Sequence, residues 1–209
     1  MIKITAYLTV LGFVLNISFG AAQEGDFNIF RSWNHEMEMN FYFLKDDFVL
    51  LPMVQSDRGK LHLEVRYNYE DLKTGSAWIG YNITGGNDFT FLITPMAGGV
   101  VGNTNGMASG LELTFDFVGF EFYSEMEYVF DLKSRENNFY YNWTDFTYSP
   151  KNWLWFGLSA QWTQLYQSEL EIQRGMLVGR SVRQFDLTGY LYNLGSDDFY
   201  VILTFGVNF

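Results

Sequence analysis

The sequence predicts an all-β fold: a transmembrane, antiparallel, up-and-down β-barrel of about twelve strands, with ten as the second choice. Three observations carry this reading. Apolar and polar residues alternate with period two along most of the chain. Beyond the N-terminus no apolar stretch approaches the roughly 18 residues a membrane helix needs. Aromatic residues (21 Phe, 14 Tyr and 6 Trp) make up 20% of the chain, more than a single small core uses.

The alternation is clearest at 61–70, where Leu61, Leu63, Val65, Tyr67 and Tyr69 interleave with His62, Glu64, Arg66, Asn68 and Glu70. Successive side chains of a strand face opposite ways, so this segment has one apolar and one polar face. The same pattern recurs at 36–43, at 111–117 and at the C-terminus, where Phe199, Val201, Leu203, Phe205, Val207 and Phe209 share a face. Turn-forming residues then divide the chain into strands at 34–44, 48–56, 60–70, 76–84, 88–101, 106–117, 120–131, 139–148, 153–166, 171–182, 184–194 and 198–209. The joints near Gln167 and Arg183 carry the weakest turn signals. The glycine-rich run at 98–106 lacks a Gly-Lys-Ser/Thr sequence and reads as a hairpin rather than a phosphate loop. An even strand number puts both termini at one end, and the breaks assigned to the opposite end are on average longer, as in membrane barrels.

Residues 1–22 read as a cleaved export signal: Lys3, an apolar run from Ile4 to Leu15, then the small residues Gly20, Ala21 and Ala22. Residues 23–209 form the barrel domain. Alternation alone does not say which face is inside, since a soluble barrel inverts a membrane one. Two features favour the membrane arrangement. Tyr and Trp gather near strand ends, as interfacial girdles require: Trp33, Tyr67, Tyr69, Trp78, Tyr140, Tyr141, Trp143, Tyr148, Trp153, Trp155 and Tyr166. Lysines sit in turns while acidic residues occupy strand interiors. A net charge of -11 disfavours nucleic acid as a partner. The absence of cysteine removes disulfides, thiolate catalysis and Cys-ligated metals.

The final aromatic strand ending in Phe209 resembles the C-terminal assembly signal of Gram-negative outer-membrane barrels. The stretches LHLEVRYNYEDL (61–72), TPMAGGVVGNTNG (94–106), EYVFD (127–131), YSPKNWLWFGLSAQ (148–161) and IQRGMLVG (172–179) resemble a family of small, uncharacterised outer-membrane β-barrel proteins. The resemblance implies residence in the outer membrane. Its implied partners are membrane lipids, periplasmic chaperones and the barrel-assembly machinery. It implies no activity.

With the polar faces inward, the expected lumen-lining residues are Glu36, Glu38, His62, Glu64, Arg66, Asn68, Glu70, Glu112, Asp116, Glu121, Glu125, Glu127, Gln161, Gln173 and Asp186, with Glu171 and Arg174 beside them. Two outcomes follow: a plugged structural barrel in which Arg66 bridges carboxylates, or a narrow channel preferring cations, passing a small cationic or neutral solute. The other classes weighed are a lipid-modifying barrel enzyme and a secreted soluble ligand-binding barrel. Catalysis is disfavoured because His35 and His62 lie at the inner end, away from the serines Ser76 and Ser168 of the outer end. No catalytic residue, metal or cofactor is expected.

Overall fold

The computed structural model describes residues 32–165 and 171–209. The expected signal peptide, Tyr166, Ser168 and the joint near Gln167 lie outside the described residues. The strands are β1 (Asn34–Phe43), β2 (Phe48–Arg58), β3 (Leu61–Tyr67), β4 (Gly75–Tyr81), β5 (Ile83–Gly86), β6 (Phe89–Val101), β7 (Gly106–Phe117), β8 (Phe120–Asp131), β9 (Phe139–Lys151), β10 (Leu154–Leu165), β11 (Glu171–Val182), β12 (Phe185–Tyr192) and β13 (Tyr200–Asn208). The sheet is antiparallel throughout and closes where β1 pairs with β13. Reciprocal 2.9 Å hydrogen bonds between the backbones of His35 and Phe209 extend that seam to the last residue.

β4 and β5 are two stretches of one spanning strand. Both pair with β6 in a single register, from Gly75↔Val101 to Gly80↔Met96 and from Ile83↔Ile93 to Gly86↔Thr90. That register sets Tyr81 opposite Pro95, which has no N–H to give the ladder. Asn82 instead donates its N–H to Lys60 O at 2.8 Å on the other side. The barrel therefore has twelve spanning strands, as the alternation predicts.

The end carrying both termini has turns of two residues only: Gly59-Lys60, Asn87-Asp88, Val118-Gly119, Asn152-Trp153 and Arg183-Gln184. Val118 (φ 49°) and Gly119 (φ 80°) are both left-handed, the geometry whose twist matches a tight hairpin. The described loops at the other end run from four to seven residues, such as 44–47 and 68–74. Short turns mark the inner end of such barrels and longer loops the outer end. Two expected breaks move. The 60–70 strand stops at Tyr67, because Asn68 turns left-handed (φ 61°) and opens a loop to Thr74. β9 continues through Ser149-Pro150 to Lys151, with a bulge facing Trp155 that accommodates a proline.

Facing follows from exposure along β3. Val65 and Tyr67 are 60% and 48% exposed, whereas His62, Glu64 and Arg66 are 3%, 2% and 1% exposed. The apolar face is outward, in contact with lipid, and the polar face is inward. Such a surface, rich in exposed Phe, Leu, Ile and Val on every strand described, belongs in a bilayer. The exposed rings Trp33, Tyr67, Tyr148 and Trp153 stand at strand ends. Five residues read as girdle aromatics from the sequence do not: Tyr69, Trp78, Tyr141, Trp143 and Trp155 turn into the barrel. Trp78 shows how. It shares strand parity with Ser76, and its ring lies over Gly98, where an added Cβ would come within 2.5 Å of the indole.

Candidate functional site

The interior is organised around one guanidinium. Arg66 is fully buried on β3. Its Nε and Nη2 donate to the two carboxylate oxygens of Glu64 at 2.7 and 2.8 Å. Its Nη1 reaches Glu125 Oε1 at 2.5 Å and Glu127 Oε2 at 3.1 Å on β8. The guanidinium is sandwiched between the rings of Tyr69 (4.4 Å) and Trp78 (4.9 Å). Arginine suits this position because its planar fork satisfies several carboxylates while its faces stack on aromatic rings. The loop 68–74 completes the cluster from above: Tyr69 donates its hydroxyl to Glu125 Oε2 at 2.7 Å, and Glu70 accepts from Ser76 Oγ (2.5 Å) and Trp78 Nε1 (3.2 Å). Arg66 thus bridges three carboxylates from two strands.

Beneath this cluster an internal cavity of about 510 Å³ extends toward the inner end. Seven carboxylates line it (Glu36, Glu38, Glu112, Glu121, Glu125, Asp145 and Asp186), and among the described residues no lysine or arginine does. Its uncharged wall includes Tyr123, Thr114, Thr188 and Thr204. Asn40 holds Glu38 at 2.6 Å and is itself held by Thr204 Oγ1 at 2.5 Å across the β1–β13 seam.

An aromatic layer bounds the cavity on its outer side. Trp143, Leu177 and Tyr190 line the cavity at its outer end. Tyr42 and Tyr200 line a second hollow at the outer rim, together with Lys45, Glu171 and Asp197. Tyr192 and Ile202, each 0% exposed, fill the space between. Tyr192 stacks on Tyr200 at 4.9 Å and on Tyr190 at 6.2 Å, and Tyr42 stacks on Tyr200 at 6.4 Å. The hydroxyls are satisfied. Tyr192 meets Ser159 Oγ at 2.5 Å and accepts from Gln161 Nε2 at 3.2 Å, while Tyr190 donates to Asp145 at 3.1 Å. Asp145 also accepts from Trp143 Nε1 at 2.8 Å and from Ser159. Tyr141 packs against this layer and against an apolar cluster of Trp78, Met96, Val100, Ala108, Val129 and Phe139 in the outer half.

Most residues expected in the lumen stand in the interior: Glu36, Glu38, Glu112, Glu121, Glu125 and Asp186 on the cavity wall, His62, Glu64, Arg66 and Glu127 in the buried cluster, and Gln161 under the tyrosine stack. Glu70 is interior but belongs to the loop rather than to β3. Four sites differ. Asn68 is a turn residue whose side chain donates to Leu50 O (3.0 Å) and accepts from Lys73 N (2.7 Å). Asp116 is exposed at the inner rim, one residue from the end of β7. Gln173 sits at the outer rim, bonded to Asn193, and Glu171 is exposed there. Arg174 shares parity with the exposed Met176 and Val178 and faces outward.

No protein-family model matches the sequence, and no curated protein matches it. Solved structures do. The KdgM porin superposes with a TM-score of 0.59 at 10% identity, over 83% of this chain and 98% of that one. The NanC porin superposes with a TM-score of 0.59 at 8% identity, over 84% and 98%. The outer membrane protein Omp33 of Acinetobacter baumannii gives 0.51 at 12% identity, over 85% and 98%. These likenesses concern the fold. The chain has the architecture of a multi-pass outer-membrane β-barrel of the porin type, embedded in lipid through its apolar face.

Proposed function

We propose that this protein is a non-enzymatic, narrow outer-membrane channel for small cationic or neutral solutes. The observation that carries the reading is the inner cavity: seven carboxylates line it, of which Glu125 is paired with Arg66, and among the described residues no lysine or arginine stands on its wall. Such a chamber concentrates cations and repels anions. Twelve strands also suit a narrow lumen, between small filled barrels and the wide channels of 16–18 strands. In this reading the tyrosine layer around Tyr192 is the constriction, since it separates the inner cavity from the outer hollow. The KdgM and NanC barrels, which share this fold, are porins, and that agrees with passage of small solutes. Export by residues 1–22 and recognition of the Phe209 strand by the assembly machinery complete the proposal.

The test is single-channel recording in planar bilayers under a salt gradient. The wild-type barrel should give a small conductance with a reversal potential on the cation side. Replacing Glu36, Glu112 and Glu121 by Gln together should move that potential toward zero, and Tyr192→Ala should enlarge the conductance. Anion preference, or silence of both the wild type and the Tyr192→Ala variant, overturns the proposal. Silence of both would leave a structural barrel built on the Arg66 cluster.

A further inference from the structure

Beside the arginine cluster, at the inner end of β3, one histidine and two glutamates converge with buried atoms left over. A ring nitrogen of His62, a carboxylate oxygen of Glu64 and one of Glu112 all lie within 4.8 Å of one another. His62 Nε2 and Glu112 Oε1 are buried without a hydrogen-bond partner. Glu112 is 7% exposed, lines the inner cavity, and among the described residues no ion pair reaches it. Buried polar atoms are rarely left unmatched, and two orphans in one triad point to a missing electrophile.

We propose that His62 Nε2, Glu64 and Glu112 form a binding site for a late first-row divalent metal ion such as Zn²⁺. Three features of the geometry support it. His62 donates its Nδ1–H to Asp57 at 3.0 Å, and Asp57 is held by Asn82 Nδ2 at 2.6 Å. In the neutral imidazole that carboxylate–histidine pairing leaves Nε2 as the lone-pair nitrogen, the arrangement usual behind metal-bound imidazoles. Next, Nε2 and Glu64 Oε2 are 3.6 Å apart. That separation is long for a hydrogen bond and close to the edge of a tetrahedron with metal–ligand bonds of roughly 2.0–2.2 Å. Finally, His62 pairs in register with Gly80, where an added Cβ would come within 3.2 Å of the imidazole and 2.9 Å of Thr94. The missing side chain lets the ring lie along the wall toward Glu112 on β7. Glu64 keeps lone pairs beyond those given to Arg66, and Glu112 lines the cavity, from which water would supply a fourth ligand. An imidazole with carboxylates selects Zn²⁺ and its neighbours over Mg²⁺ and Ca²⁺, which prefer all-oxygen ligands.

The site needs no conduction, so its test is separate from that of the channel. Untagged, metal-stripped barrel in detergent is titrated with Zn²⁺ against a chromophoric chelator, and with Co²⁺ by visible absorption. One saturable equivalent is expected, with a four-coordinate Co²⁺ spectrum and no competition from equimolar Mg²⁺. His62→Ala and Glu112→Gln should each weaken binding at least tenfold, and Asp57→Asn by roughly 10–100-fold. His35→Ala, which removes the other of the chain's two histidines, should bind as wild type does. Folding of each variant is read from heat-modifiable gel migration. X-ray absorption of the Zn²⁺-loaded wild type, showing one imidazole shell near ~2.0 Å, supports the site even where a variant does not fold. Failure of the wild type to bind, equal binding by a folded His62→Ala barrel, or equal competition by Mg²⁺ overturns the proposal.

Discussion

Arg66 illustrates how a buried charge makes its own neighbourhood obligatory. Its guanidinium touches three carboxylates, and none of the four groups has appreciable access to water. Removing the cation alone strands the anions, so Arg66→Met should cost about 3–5 kcal/mol, read as a lower denaturant midpoint for loss of the heat-modifiable form. Adding Glu64→Gln and Glu125→Gln to that variant should recover part of the loss. The facing of β3 gives a second residue-level outcome. Leu63→Arg puts a charge toward lipid and should cost up to roughly 2–4 kcal/mol, the value at the bilayer midplane. Asn68→Asp keeps the acceptor for Lys73 N and loses the donor to Leu50 O, a change of about 1 kcal/mol. Asn68 tolerates its left-handed backbone because Asn and Asp visit that region readily, and Asp shares the property. A folding titration in which Leu63→Arg costs nothing would reverse the assignment of faces.

At the scale of the element, interior aromatics need glycines on the neighbouring strand. The Trp78 ring covers Gly98 so closely that any side chain there displaces the indole. Gly98→Val should therefore cost about 1–3 kcal/mol by overpacking, with a shift in tryptophan emission as the buried ring moves. The strand reading of 61–70 failed at its last three residues for a related reason. Asn68, Tyr69 and Glu70 keep the sequence alternation of β3, but the loop folds back and turns the consecutive Tyr69 and Glu70 both inward, which a period-two pattern does not reveal. Pro95 had the opposite effect. It interrupts the ladder between β4 and β5 without ending the strand, since the register on either side is unchanged.

For the whole molecule, closure of the sheet leaves no unpaired edge, which is what a barrel in lipid requires. The mature protein should need detergent for extraction from membranes and should migrate differently on gels before and after boiling. A chain soluble without detergent would contradict the outward apolar face. Height within the barrel also matters: the acidic cavity lies in the inner half and the packed aromatics lie in the outer half. The Asp145–Ser159–Tyr192 network joins the two. Neither the split nor the network has a sequence signature, because it depends on which strands face one another across the lumen.

The class of fold, the number of spanning strands, most of their boundaries and the inward parity of His62, Glu64 and Arg66 were legible in the sequence. They are local properties: a period-two pattern and turn chemistry act over a few residues, and the pleat converts them directly into faces. The partners of Arg66, the inward turn of Trp78 and Trp143, and the meeting of His62 with Glu112 were decided by the tertiary structure alone. Glu127 is 61 residues from Arg66, and Tyr or Trp near a strand end reads the same whether it anchors in lipid or fills the lumen. Only the closed register brings β3 opposite β8, and only there can one guanidinium answer three buried carboxylates.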